Sequence, residues 1–195
     1  MIVTICRQHG SGGHDIARAL AQELGCECYD KEIVDHAAEK TGYSREVLNS
    51  YDEKRVSPYI VTSPNYIGLH EGFRLNMQAA SAQFEAIRSL AETGDGVFVG
   101  RCADYVLRSR EDLVRVFIWA DEKFRIKTMM ERRDLTHEQA KKLIREVDKD
   151  RGSYYRYYTD QNWGEMKNYD LCINSAVTGV QGAVQVIRAA IEASR

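Results

Sequence analysis

Proline is scarce in this chain: Pro58 and Pro64 are the only two among 195 residues. They bracket "PYIVTSP", which reads as an irregular segment or the entry to a separate helical region. No internal repeat or low-complexity tract occurs. An excess of charge is missing too. With 27 basic and 29 acidic residues the net charge is −2, and a chain with no broad positive field is not built to hold a nucleic-acid polymer or a membrane surface. Any anion site must therefore be local. No apolar run approaches the length of a membrane span, and the first residues lack the charged leader and apolar block of a signal peptide. The expected compartment is the cytoplasm. The five cysteines are odd in number and contain no CxxC pair, which leaves a disulfide framework unsupported and a metal site short of ligands. Cys26 and Cys28 are two apart and share a face if they lie on a strand. Buried thiols are the expectation for the set.

What is present is an ordinary globular composition, 44% hydrophobic and 29% charged, at a length that suits one domain spanning residues 1–195. Short apolar runs predict strands at Ile2–Cys6, Glu27–Tyr29, Val97–Gly100, Val114–Ala120 and Tyr169–Asn174. Helical patterns alternate with them. Ile16, Leu20 and Leu24 form one stripe. Val180, Val184, Ile187 and Ile191 form another, after Gly179. Thr136 with Gln139 resembles a capping box that opens a helix through Ile144 towards Val147, and a long helix is expected from His70 to Glu92. Continuous apolar strands separated by helices predict an α/β fold whose five-stranded parallel sheet is flanked by helices in three layers. Two stretches stand out as insertions, about Ser44–Glu92 and the polar run Arg132–Asn168.

The stretch "VTICRQHGSGGHDIARALA" runs from a strand through Gly10, Ser11, Gly12 and Gly13 into a helix. Such a loop points backbone N–H groups, backed by the helix dipole, at an anion. Phosphate binding is one reading and a plain tight turn is the other. Aligned on Gly12, the pattern G-x-x-x-x-G-K-[ST] places Arg7 at its first glycine, Gly13 at its lysine and His14 at its hydroxyl residue. Some other cation must then meet the phosphates, and Arg7, His14 and Lys31 are nearest in sequence.

Four blocks in order, "RQHGSGGHDIARALAQELG", "CYDKEIVDHAA", "VFVGRCADYVL" and "DKDRGSYYRYYTDQNWGEMKNYDLCINSA", resemble the cytidylate-kinase-like family of P-loop kinases. The resemblance implies a P-loop NTPase fold, ATP with Mg2+ as donor, and a small acceptor such as CMP or dCMP. It implies a donor-phosphate loop at Gly10, Ser11, Gly12, Gly13, His14 and Asp15, with Asp15 as metal ligand or as a favourable acid in the first helical turn. It also implies an acceptor region at about 30–95 that uses Asp30, Lys31 and Arg101. A lid at about 132–168 would bring Arg132 to the nucleotide, Arg133 and Arg151 to the transferred phosphate beside Arg7 and His14, and Asp148 and Arg156 to the acceptor. Each of these has a structural alternative. Asp30 suits a helix N-cap, Arg101 could pair with a carboxylate such as Asp104, and the lid arginines could form salt bridges on a solvated helix. Tyr154 and Tyr158, four apart, are expected to pack a helix onto the core. Two other functions stay open: a non-catalytic nucleotide- or phosphate-binding protein, and a kinase for a non-nucleotide metabolite. The sequence leaves room for a homo-oligomer.

Overall fold

The structure, a computed structural model, describes residues 1–55 and 67–193, with the side chains of 67–73 excepted. The segment bracketed by Pro58 and Pro64 lies outside the described residues. Five parallel strands form one sheet in the order β2-β3-β1-β4-β5: β1 Ile2–Arg7, β2 Glu27–Tyr29, β3 Gly96–Val99, β4 Leu113–Trp119 and β5 Leu171–Asn174. The register sets Ile2 beside Gly96 and Leu113, and Arg7 beside Ile118. β3 and β4 each begin one residue before their apolar pattern suggests, because the pairing continues across Gly96 and Leu113. β5 is shorter than expected, since Met166–Asn168 form a 3-10 turn ahead of it.

Helices cover both faces. α1 (Gly13–Leu24) and α8 (Ser175–Ala193) lie on one side, where Ile16, Leu20, Val184 and Ile187 join Val3, Ile5, Val97, Val116 and Ile118 in one core. On the other side α2 (Lys31–Thr41), α3 (Arg45–Tyr51), α4 (Ile67–Ala91) and α5 (Ala103–Val106) enclose Ile2 and Phe98 with Ile33, Leu48 and Ile87. Successive β1 residues thus feed opposite cores, as strand alternation requires. Two further helices, α6 (Glu122–Arg133) and α7 (His137–Thr159), pack together through Ile126, Met129, Ala140 and Ile144.

Local chemistry fixes where these helices start. The Thr136 hydroxyl accepts from Gln139 N while the Gln139 side chain accepts from Thr136 N, a full capping box. Asp121 caps α6 by accepting from Phe124 N at 2.8 Å. α7 runs well past Val147. Its second half is anchored by buried Tyr154 and Tyr155, and Tyr154 packs on Tyr158 with ring centroids 4.7 Å apart. α8 begins at Ser175, ahead of the expected start, and kinks at Gly179. The cysteines divide: Cys6 and Cys102 are buried, Cys26 and Cys28 are half-buried, and Cys172 is exposed, so the expectation of buried thiols fails at Cys172. Among the described residues no helix is long and apolar enough to cross a membrane.

Candidate active site

β1 lies between β3 and β4, and the chain leaves it to build first one side of the sheet and then the other. Ligands of open parallel sheets bind at such a reversal, beyond the carboxyl ends of the strands. Two cavities occupy that edge. One, of about 310 Å3, is walled by Gly10, Gly12, Gly13 and His14. The other, of about 390 Å3, is walled by Lys31, Asp52, Glu53, Lys54 and Arg101. Arg7, Asp30, Arg133 and Arg151 line both.

The glycine loop is open. Gly10 and Gly12 adopt left-handed conformations, φ 80° and 76°, which glycine takes without strain. Ser11 is turned inward: its hydroxyl donates to Gln8 O and its carbonyl accepts from the Ser175 hydroxyl at 2.6 Å. Among the described residues no protein oxygen accepts from the amides of Gly10, Gly12, Gly13, His14 or Asp15. The loop is braced from behind by Asp148, which accepts from His9 N at 2.7 Å and from Arg125 Nη1 at 2.5 Å, while Arg125 also donates to His9 O. His9 is held neutral: burial and the nearby Arg151, Arg133, Arg7 and Arg125 push its pKa down to about 4.

The missing lysine has a steric explanation. A Cβ at Gly13 would lie 2.5 Å from Arg7 Cβ and 2.9 Å from Arg7 Cγ, so Arg7 occupies the space that a side chain at 13 would need. Further along, the Arg7 guanidinium passes Gly100, where any Cβ would strike Arg7 Nη1 and Glu53 Oε1. Arg7 thus threads a slot between two glycines to donate to Glu53 at 2.6 Å. Glu53 also accepts from Arg151 Nε at 3.0 Å and from Arg101 N at 3.1 Å. Burial raises the Glu53 carboxyl, but Arg7, Arg151 and Arg101 outweigh it and hold it far below the usual carboxylate range.

A second cluster centres on Arg101, whose side chain is 5% exposed. Its Nε and Nη2 donate to the two oxygens of Asp52 at 2.9 and 2.5 Å, and Nη1 donates to Asp30 and to Val99 O. Gly100, Arg101 and Cys102 are all left-handed, φ 73°, 50° and 55°. For the two non-glycine residues this is strained backbone of the sort that gathers at functional sites. The partners of Arg101 are therefore Asp52 and Asp30. Asp104 instead accepts from Tyr155 at 2.7 Å. Asp30 stands at the N-cap position of α2, yet its side chain makes no cap bond. One of its oxygens takes Arg101 and the other lies 2.9 Å from His14 Nδ1.

The remaining expected residues scatter. Arg132 pairs with Asp15 across the loop, and both border a third cavity of about 300 Å3 beside Ser175 and Val180. Lys31 reaches the larger cavity. Asp148 lines neither of the first two cavities, and exposed Arg156 donates to Asn162. Asp52, Glu53 and Arg125 were not singled out by sequence reasoning. The one available signal is the acidic pair directly after α3, which Ser44 caps and Leu48 anchors in the core. Among the described residues no three His, Cys, Asp or Glu side chains cluster to hold a metal. Asp15 stands in the first turn of α1, and a Mg2+ bound mainly by phosphate oxygens needs only one or two such groups.

Comparison with known proteins identifies the fold and the family. A protein named cytidylate kinase from Methanothrix thermoacetophila is 25% identical over 194 residues, 99% of each chain. The crystal structure of an uncharacterised protein from Eubacterium ventriosum superposes with a TM-score of 0.76 at 27% identity, covering 98% of both chains. Shikimate kinase from Bacteroides thetaiotaomicron shares the fold at a TM-score of 0.58 and 12% identity, again over 98% of each chain. The sheet is that of the P-loop kinases. Residues 2–177 match the cytidylate kinase-like family, and the chain belongs to it.

Proposed function

We propose that this protein is an ATP-dependent phosphotransferase whose donor phosphates rest on the amides of Gly10 and Gly12–Asp15 and whose acceptor enters the cavity beyond Asp30. The observation that carries this reading is the row of unpaired amides at the start of α1, facing a cavity edged by four arginines. Phosphoryl transfer asks little covalent work of a protein. Positioning and compensation of charge on the migrating group supply most of the rate.

Each arginine contributes differently. Arg7 and Arg151 are fixed by Glu53, and their positive charge stands where the two cavities join. Arg133, the last residue of α6, has no carboxylate partner among the described residues and lines both cavities. It is the cation free to follow the phosphoryl group. Together they replace the single lysine of the usual loop. Arg132 flanks the nucleotide where α6 meets the loop. Mg2+, when bound, would neutralise charge on the phosphates, and Asp15 is the carboxylate that would hold it. Residues 132–168 act as the lid, and about 30–95 as the acceptor region.

The test is incubation with ATP, Mg2+ and a set of small acceptors including CMP and dCMP, the acceptors suggested by the relatives' name. ADP formation that depends on an acceptor supports a kinase. Tight ATP binding without turnover under every acceptor would instead favour a nucleotide sensor.

A further inference from the structure

The chain leaves β1 through a tight turn from Gln8 to Ser11, closed by Ser11 N donating to Gln8 O at 3.3 Å. The central peptide of that turn joins His9 to Gly10. Such a peptide can be set in two ways, related by a half-rotation, and the residue after it decides which are allowed. A side chain there resists the left-handed setting, whereas glycine accepts both. Gly10 holds the left-handed one, at φ 80°. Glycine by itself therefore leaves the loop free to reverse, and something outside the loop must fix it.

Both main-chain polar groups of His9 are taken by one ion pair. His9 N donates to Asp148 Oδ1 at 2.7 Å, His9 O accepts from Arg125 Nη1 at 3.2 Å, and the same Nη1 donates to Asp148 Oδ2 at 2.5 Å. α6 supplies the arginine and α7 the aspartate, and both side chains are largely withdrawn from water. One turn further along α7, Arg151 donates to Arg7 O at 3.1 Å, so this helix grips the chain on both sides of Gln8. The approach is close. A Cβ at Gly10 would lie 2.9 Å from Arg125 O, which means the loop rests directly on α6. In a planar trans peptide the carbonyl and the N–H point opposite ways. Anchoring His9 O on Arg125 thus turns Gly10 N–H away from that side chain, and among the described residues nothing accepts from it. Gly10 lines the donor cavity, and neither Arg125 nor Asp148 does.

Resting on the phosphotransferase reading, we infer that Arg125 and Asp148 are positioning residues for the donor: their ion pair locks the His9–Gly10 peptide in the setting that offers its N–H to the nucleotide's phosphates. The reversed peptide would aim the negative end of a carbonyl at a polyanion, turning an attraction into a repulsion. Asp148 thereby serves the donor half of the cleft, and it acts through the main chain of His9 without touching the ligand.

The test combines calorimetry with amide spectra. ATP with Mg2+ and, separately, CMP are titrated into the parent, Asp148→Ala, Arg125→Met and the double variant. ATP affinity should fall about tenfold or more in each single variant, while CMP affinity stays within about threefold. The double variant should bind ATP no more weakly than the weaker single one, because both changes release the same peptide. Additive losses, or equal losses for the two ligands, would overturn the inference and leave the pair as a structural strut. In 15N-labelled parent protein, adding ATP should move the Gly10 amide proton downfield and leave that of His9, held by Asp148, in place. Shifts at Gly12 to Asp15 with Gly10 unmoved would overturn the inference and leave the kinase reading standing. Failure of the parent to bind ATP at all would overturn the kinase reading itself. The spectra need neither a variant nor an acceptor, so they decide the matter even if a variant fails to fold or CMP does not bind.

Discussion

The two halves of the cleft treat charge in opposite ways. On the donor side the backbone does the work: amides of Gly10 and Gly12–Asp15 stand open, and the side chain that would ordinarily supply an ammonium group is absent. On the acceptor side the buried guanidinium groups are already paired, with Arg7, Arg101 and Arg151 bound to Glu53, Asp52 and Asp30. A dipolar cradle can stay open because an unpaired amide facing water costs little. A buried guanidinium cannot, since an unmatched charge out of water is expensive. The proposed donor half thus keeps its amides open, while the proposed acceptor half is held in shape by its own carboxylates.

Removing one of those carboxylates should break the contrast most severely. Glu53→Gln leaves Arg7 and Arg151 without their shared counter-charge, and a loss of about 3 kcal/mol is expected in urea unfolding. Loss of less than about 1 kcal/mol would mean that the arginines find other partners. On the donor side Gly13→Lys, which restores the usual loop residue, should damage rather than rescue. Its Cβ meets Arg7, so stability should drop by about 1–3 kcal/mol and nucleotide affinity should fall with it. Tighter ATP binding in that variant would contradict the steric account.

Acid sharpens the comparison further, because it acts on the two halves with opposite sign. His9, behind the loop, titrates near 4 instead of 6.5. The unfolded chain therefore takes up the proton first, and its contribution to stability is lost as pH falls from about 6.5 to about 4. Asp104, under the acceptor half, is pushed by burial from 3.8 up to about 6. Its folded form holds the proton longer, so its contribution is present at low pH and lost as pH rises through that window. The two should partly cancel between about pH 4 and pH 6. Asp104→Asn removes one of them, and thermal unfolding of that variant should fall more steeply with acid than the parent does. The smallest effect is expected at the surface. Arg132→Ala breaks a half-exposed pair with Asp15 and should alter stability by under about 0.5 kcal/mol.

Much of the fold was legible because buried parallel strands are written as continuous apolar runs, and Thr136 with Gln139 announces its own helix start. The far half of α7 was legible only as a separate short helix, through Tyr154 and Tyr158 on one face; its continuity with the capped first half was not, since the residues between Asp148 and Ser153 are polar or glycine. The candidate site divides the same way. The open curl of Gly10–Gly13 shows locally, through the backbone freedom that Gly10 and Gly12 use. Glu53 does not: its partners Arg7 and Arg151 lie 46 and 98 residues away, and nothing in "SYDEK" reveals that its carboxylate turns inward. Asp148 likewise braces His9 across 139 residues of chain, a placement set by how α7 docks and by no local pattern.

The slot that Arg7 threads couples positions far apart in the chain. A side chain at 13 or at 100 would fall on Arg7, so an exchange at either glycine has to be matched at residue 7.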